Sequence, residues 1–194
     1  NNAMLVTLRI TGLAAAEGLA AAQYNLGYIL EVGRGGPKDE VEARRLYGLA
    51  AAQGGRDAQL KLGGMLFHGL GGPHDHEEAR RLFGLAAAQG SATAQYLFAL
   101  MHERGLGGPK DDAEALREYD LAAAQGCEES RRRHAILGTR LLQQRQRDDR
   151  VQEQQQKKAQ MLAEQKRVQA EAKRVQAKAQ ADYLHSLSPL LTLK

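Results

Sequence analysis

The stretch Leu49-Ala-Ala-Ala-Gln-Gly54 decides the fold, because the chain repeats it at a fixed interval. It returns as Leu85–Gly90 and as Leu121–Gly126, and a weaker copy with Glu in place of Gln occupies Leu13–Gly18. The four copies begin at residues 13, 49, 85 and 121, so every step is 36 residues. A fixed period of this length is typical of a solenoid built from one small structural unit.

A second motif recurs at the same step and marks the ends of helices. The triplet Gly-Gly-Pro occupies residues 35–37, 71–73 and 107–109, and an Asp follows each copy at 39, 75 and 111. Asp is a favoured N-cap and Gly a favoured helix stop. The pattern therefore predicts one helix from each Asp to the Gly that closes the Ala-rich stretch. A second helix follows and ends at Gly33, Gly69 or Gly105.

Each of the two predicted helices has one apolar face. In the first helix, Ala, Leu, Tyr, Ala and Ala stand at positions 43, 46, 47, 50 and 51, which is the spacing of a single helical face. In the second helix, the apolar positions 22, 26, 29 and 30 are matched by 58, 62, 65 and 66. Two helices alone cannot bury these faces, so we predict an all-α solenoid of stacked units.

The repeat resembles the Sel1-like repeat, a relative of the tetratricopeptide repeat. The resemblance rests on Ala-Ala-x-Gln-Gly, Ala-Gln-x-x-Leu-Gly and Gly-x-Gly at the 36-residue step, and it covers about Leu5 to Gly126. It implies a right-handed superhelix of antiparallel helix pairs that serves as a scaffold or adaptor in protein assemblies. Some relatives carry disulfide-paired repeats, but Cys127 is the only cysteine of this chain. We place the units at about 5–36, 41–72, 77–108 and 113–138.

The fourth unit lacks the helix-ending motif. At the position that follows Gly105-Leu-Gly-Gly-Pro109 by 36 residues, the chain has Leu141-Leu-Gln-Gln-Arg145, which is made of helix formers. Gly138 is the last glycine, and the next proline is Pro189. We therefore predict a solenoid over 5–138, a long polar and basic helix over 139–188 that ends near Leu187, and a tail over 189–194.

The long helix carries a thin heptad stripe. Met161, Val168 and Val175 are seven residues apart, and Gln or Ala fills the other seam position at 165, 172 and 179. Such spacing is compatible with a coiled coil, and hence with self-association through this helix. The alternative is a single solvated helix supported by local pairs such as Glu153 with Lys157.

The outer face of the first helix is the predicted partner-binding surface. At 100° per residue, positions 45, 48, 49 and 52 lie opposite the apolar face. Stacking would align arginines and leucines into a groove made of Arg9, Leu13, Arg45, Leu49, Arg81, Leu85, Arg117 and Leu121. Sel1-like repeats more often have Lys at the Leu49 position, so this chain departs towards an apolar surface. The alternative is that the leucines pack between helices and the arginines pair locally, as Glu77 could with Arg81.

Charge divides the chain into two regions. Residues 1–126 have 12 Lys and Arg against 15 Asp and Glu, a net of −3, whereas residues 127–194 have 15 against 8, a net of +7. The second region suggests an alternative function, polyanion binding, through Arg131, Arg132, Arg133, Lys157, Lys158, Lys166, Arg167, Lys173 and Arg174. Interspersed acidic residues and the absence of aromatics in 127–182 make nucleic acid or an acidic membrane surface the less favoured partner.

The sequence contains no pattern that predicts catalysis. It has no nucleophile–base arrangement and no zinc-protease motif. The segment His74-Asp75-His76-Glu77 occupies an inter-unit loop and supplies one His-x-His without a second pair of ligands, so we predict no metal site. We expect a non-enzymatic protein with protein partners, without cofactor or small-molecule substrate.

The apolar segment Met4–Ala16 lacks a basic n-region and is in register with the later repeats, so we interpret it as mature structure rather than a signal peptide. No stretch reaches the ~20 apolar residues that a transmembrane helix needs. With a single cysteine, these features favour a cytoplasmic location.

Overall fold

The computed structural model describes residues 2–191, with side chains over 9–184. Within this part of the chain the structure is all-α, without strands. The helices are α1 (Asn2–Ala16), α2 (Ala20–Val32), α3 (Glu40–Ala52), α4 (Arg56–His68), α5 (His76–Ala88), α6 (Ala92–Arg104), α7 (Asp112–Ala124) and α8 (Glu128–Leu191). The predicted fold class, a helical-repeat solenoid followed by a long C-terminal helix, is confirmed.

The helix ends form at the residues that the repeat marks. The carboxylates of Asp39, Asp75 and Asp111 each accept a hydrogen bond from the backbone N–H three residues later, at 3.0, 3.0 and 2.9 Å. The helices α2, α4 and α6 end at glycines in the left-handed conformation, with φ of 71°, 69° and 65°. Each cap satisfies backbone groups that the helix itself leaves unpaired.

Close packing within helix pairs depends on small residues facing aromatic rings. A Cβ built on Gly27 of α2 would lie 3.1 Å from the Tyr47 ring of α3, and one on Gly63 of α4 would lie 2.8 Å from the Phe83 ring of α5. The buried faces of α3 and α5 comprise the five positions that the periodicity indicates in each helix: Ala43, Leu46, Tyr47, Ala50 and Ala51, then Ala79, Leu82, Phe83, Ala86 and Ala87. The core is therefore a layer of alanines and rings between successive helices, completed by buried leucines and methionines.

The Gly-Gly-Pro loops at 71–73 and 107–109 each rest on the helix that begins one repeat earlier. Gly107 has φ of 66°, and a Cβ there would lie 2.0 Å from the carbonyl oxygen of His76. Arg80 Nη1 donates to the carbonyl of Pro109 at 3.0 Å. Arg44 does the same one repeat earlier, with Pro73 at 3.0 Å. These contacts fix the spacing between neighbouring repeats.

Glutamines connect successive helices at the other end of each repeat. Gln53 Nε2 donates to Gln23 Oε1 at 2.8 Å, and equivalent bonds join Gln89 to Gln59 and Gln125 to Gln95 at 2.8 and 2.7 Å. The side chains of residues 23, 59 and 95 are buried, so the hydrogen bond satisfies an amide oxygen that water cannot reach.

The chain divides into two compact units, Asn1–Thr139 and Arg140–Lys194. In the first unit, the start of α8 is packed into the core through Leu137 and Ser130, which are both fully buried. In the second unit, every described side chain from 142 to 184 is exposed.

The long helix ends later than predicted. It continues to Leu191, beyond the predicted end near Leu187, and it includes Pro189, which the sequence had assigned to the tail. A proline so near the end removes only one hydrogen bond of the last turns, so the helix does not stop at once. Residues 192–194 of the predicted tail lie outside the described residues.

Candidate functional site

A row of leucines is exposed at one position of successive repeats. The exposed fraction is 41% for Leu49, 41% for Leu85, 44% for Leu121 and 62% for Leu13. We call these four residues the leucine row. Leu82, one turn from Leu85, is only 2% exposed, so the helix separates a core face from a solvent face. The leucine row lies on the solvent face.

A cleft lies beside the leucine row between α3 and α5. It has a volume of about 420 Å³, and its wall on α3 consists of Gly48, Ala51 and Ala52. Leu62 of α4 contributes to the lining, and Leu85 lies on the α5 side. Glu78 and Arg81 of α5 also line the cleft, so it presents small side chains beside a charged pair and can accept a partner segment that has both apolar and polar groups.

The arginines of the predicted groove are paired within their own helix. Arg45 donates two hydrogen bonds to the carboxylate of Glu42, at 2.8 and 2.7 Å. Arg81 binds Glu78 in the same way at 2.7 and 2.7 Å, and Arg117 binds Glu114. The acidic partner of Arg81 is thus Glu78, because that carboxylate three residues earlier receives both donors, and not Glu77.

These hydrogen bonds shift the acidity of the carboxylates. The hydrogen bond from each arginine lowers the pKa of the glutamate that accepts it, from Arg45 to Glu42, from Arg81 to Glu78 and from Arg117 to Glu114. The pairs therefore remain ionised at neutral pH and present both charges next to the leucine row. Arg9, the remaining arginine of the predicted groove, is exposed on α1.

A second cleft, of about 460 Å³, lies between α2 and α4. Ala20, Ala21, Tyr24 and Asn25 of α2 line one side, and residues 55–58 of α4 line the other. This cleft is not evident from the sequence, because the apolar periodicity of these helices indicates only an inner face. The run of three alanines at the start of α2 was the available signal, since small residues at a helix start leave room beside the next helix.

The basic residues of α8 are largely accompanied by acidic ones. Nitrogen–oxygen distances of 4.0 Å or less join Arg131 to Glu128, Arg132 to Glu129, Arg133 to Glu103 and Glu129, Lys157 to Glu153, and Arg167 to Glu164. Lys158, Lys166, Lys173 and Arg174 are exposed. Five of the nine predicted polyanion-binding residues thus have an acidic side chain within 4.0 Å.

The family model described as Sel1 repeat matches residues 20–55, 56–91 and 92–127, more than half of the chain. The chain belongs to the Sel1-repeat family. Sel1 repeats generally mediate protein–protein interaction, and the family is typically non-catalytic.

Two solved Sel1-repeat structures are similar to this chain. One is a Sel1 repeat protein from Oxalobacter formigenes, 32% identical with a TM-score of 0.61, covering 67% of this chain and 98% of that one. The other is a protective antigen of uropathogenic Escherichia coli that displays an SLR fold, 33% identical with a TM-score of 0.61. That match covers 63% of this chain but only 26% of the antigen. No curated protein matches this chain at a significant level.

The Sel1 repeats as matched begin one helix later than the units placed from the sequence. The matched repeats pair α2 with α3, α4 with α5 and α6 with α7, whereas the predicted units 41–72 and 77–108 pair α3 with α4 and α5 with α6. The period is the same in both descriptions. The close approaches of Gly27 to Tyr47 and of Gly63 to Phe83 fall within the matched repeats.

The histidines of the Sel1 repeats lie in loops and at helix junctions. His68 and His76 flank the ring of Phe67, whereas the His74 ring lies beside that of His76 and its Nδ1 contacts the Phe67 carbonyl oxygen at 2.9 Å. Over the part of the chain that the structure describes, no group of three His, Cys, Asp or Glu residues is placed to hold a metal ion. Nor, among the same residues, does any helix combine the length and apolarity needed to cross a membrane.

Proposed function

We propose that this Sel1-repeat protein is a non-enzymatic scaffold or adaptor that binds its protein partner along the leucine row. The observation that carries the proposal is the exposure of Leu49, Leu85 and Leu121 to nearly the same extent, at the same position of three successive repeats. An exposed, aligned apolar strip of this kind is typical of a contact surface.

The surroundings of the leucine row suit a partner segment with apolar side chains and a polar edge. The cleft between α3 and α5 is lined by Leu85 and by small residues of α3, with Glu78 and Arg81 at its charged side. Fully burying a leucine side chain stabilises a complex by about 1.5–3 kcal/mol, so three half-exposed leucines supply a substantial part of a binding free energy. The adjacent pairs, such as Glu78 with Arg81, offer a charged rim that orients the partner.

The test immobilises the wild-type chain and two triple variants, and compares the proteins that each of the three retains. In the first variant, Leu49→Lys, Leu85→Lys and Leu121→Lys place three charges on the proposed face. We expect it to lose the partners that the wild type retains, since a charge in an apolar contact must be desolvated.

The control variant carries Val32→Lys, Val41→Lys and Leu70→Lys, which replace three other exposed apolar residues and add the same charge. It should retain the partners. If both triple variants retain the partners equally, the proposed binding face is contradicted. If both lose the partners equally, the added charge and not the leucine row explains the loss, which also contradicts the proposed face.

A further inference from the structure

The second unit presents an exposed apolar stripe. Met161, Val168 and Val175 are 66%, 57% and 65% exposed. They belong to α8, whose described side chains from 142 to 184 are all exposed. Local ion pairs, such as Lys157 with Glu153 at 2.6 Å, stabilise a helix by only about 0.3–0.5 kcal/mol each and bury no apolar surface.

The stripe is repeated in tandem at a seven-residue step. Residues 166–172 are Lys-Arg-Val-Gln-Ala-Glu-Ala, and residues 173–179 are Lys-Arg-Val-Gln-Ala-Lys-Ala, with one difference. A strict seven-residue repeat keeps the apolar positions facing one partner helix along a left-handed supercoil. The alanines at 172 and 179 take the other seam position, where small side chains let two backbones come close.

The Lys-Arg pairs at 166–167 and 173–174 are held away from the seam. At 100° per residue, the Arg and Lys that precede Val168 and Val175 lie about 100° and 200° around the helix from each valine. The positions that border the seam are Glu164, Glu171 and Lys178 on one side, and glutamines at 169 and 176 on the other.

We infer that a second copy of this chain covers the stripe, so that two α8 helices pair along residues 161–179. In a parallel pair, Glu164 and Glu171 face the glutamines of the second copy. In an antiparallel pair centred on residue 171, Glu164 faces Lys178 but the two copies of Glu171 face each other, so the parallel pair is the favoured arrangement. In both arrangements the cluster of Lys and Arg points outwards, so the net positive charge of the segment does not oppose pairing at short range.

The pairing goes beyond the proposed partner binding and does not depend on it, because the leucine row lies in the first unit. A paired chain would carry two copies of the repeat array, which raises the avidity for a partner that displays two binding segments.

Sedimentation velocity of the full chain, from micromolar to near-millimolar concentration, tests the pairing. The wild type should shift towards a species of twice the chain mass of 21.2 kDa. The variant Val168→Lys/Val175→Lys places charges within the seam and should remain at the single-chain mass over the same range, with the thermal unfolding of the repeats unchanged.

The matched control is Ala170→Lys/Ala177→Lys, which adds the same charge on the opposite side of the helix. It should associate like the wild type. A wild type that stays monomeric at the highest concentration would overturn the inference. So would association that persists in the valine variant, or that is lost equally in the alanine variant.

Discussion

Three side chains at the junction of α2, α3 and α4 form a polar set. Tyr47 Oη donates to Glu31 at 2.6 Å, and Lys61 Nζ binds the same carboxylate at 2.9 and 3.0 Å. The repeat that follows has Phe83, Phe67 and Leu97 at the three equivalent positions. The third repeat returns to the polar set, with Tyr119 donating to Glu103 at 2.8 Å and Arg133 3.8 Å from it.

Because the polar set and the apolar set replace each other as a whole, we expect the contributions of the three residues to stability to be coupled. Lys61→Leu alone leaves the Glu31 carboxylate without its cation and should lower the free energy of unfolding by about 1–2 kcal/mol, between the values for exposed and buried pairs. The triple change Glu31→Phe, Tyr47→Phe and Lys61→Leu reproduces the middle repeat and should recover most of that loss. Urea unfolding measures both. A triple variant less stable than the single one would refute the coupling.

A buried histidine gives the fold a sensitivity to acid. His102 accepts a hydrogen bond from Arg80 Nη2 at 2.8 Å, and its ring lies edge-on to Phe98. Burial of the ring is the main cause that lowers the pKa of His102 below its ordinary 6.5, and the charges of Arg80 and Arg117 lower it further. The carboxylates of Glu114 and Asp111 act in the opposite direction but do not cancel this lowering. The neutral ring is the form that fits, because a second cation would face Arg80.

The sign of the pH dependence follows from the lowered pKa. The unfolded chain takes up the proton first as pH falls, so this contribution to stability is present above pH 6.5 and is lost as pH falls towards the folded pKa. His102→Leu introduces the residue found at the equivalent positions 30 and 66 and should flatten that part of the pH–stability profile. The control His68→Leu, at an exposed site, should keep it. Profiles of equal slope for wild type and His102→Leu would contradict this account.

At the scale of the element, the glycines of the inter-repeat loops are not equivalent. Gly107→Ala should destabilise the fold by more than about 1 kcal/mol, because alanine disfavours a positive φ and its Cβ would meet the carbonyl of His76. Gly36→Ala is the control, since its Cβ would meet nothing within 4 Å. Thermal melts of the two variants check the difference. Equal melting temperatures would contradict the loop packing described above.

Much of the element structure could be predicted from the sequence because it depends on local chemistry. The caps at Asp39, Asp75 and Asp111 and the stops at Gly33, Gly69 and Gly105 are determined by residues next to them in the chain. Local residues do not show at which helix a repeat begins, because each helix packs against both the helix before it and the helix after it. The approaches of Gly27 to the Tyr47 ring and of Gly63 to the Phe83 ring mark the tighter pairs.

The candidate site was less accessible to sequence reasoning. Leu49 on an outer helical face is compatible with either solvent or a neighbouring helix, and only the stacking of α3 against α5 shows how much of it is exposed. The pairing of Arg81 with Glu78 rather than Glu77 depends on side-chain rotamers. The cleft between α2 and α4 arises from the distance between two helices, which no single segment encodes.

At the scale of the whole molecule, the repeats supply a regular surface and α8 supplies a separate one. Stability in such an array is approximately a sum over repeats and their interfaces. Substitutions on the solvent face should therefore change binding without changing folding, whereas substitutions in the alanine and ring layer should unfold the array. This separation is the central claim for the leucine row.

The melting temperature of the Leu49→Lys/Leu85→Lys/Leu121→Lys variant, followed by far-ultraviolet circular dichroism, tests that claim most directly. We expect a helical spectrum like that of the wild type and a melting temperature within a few degrees of it. By contrast, Leu82→Lys, at a position that is only 2% exposed, should abolish cooperative unfolding. A triple variant that loses its helical signal as Leu82→Lys does would show that the leucine row is core, and would contradict its assignment as the binding face.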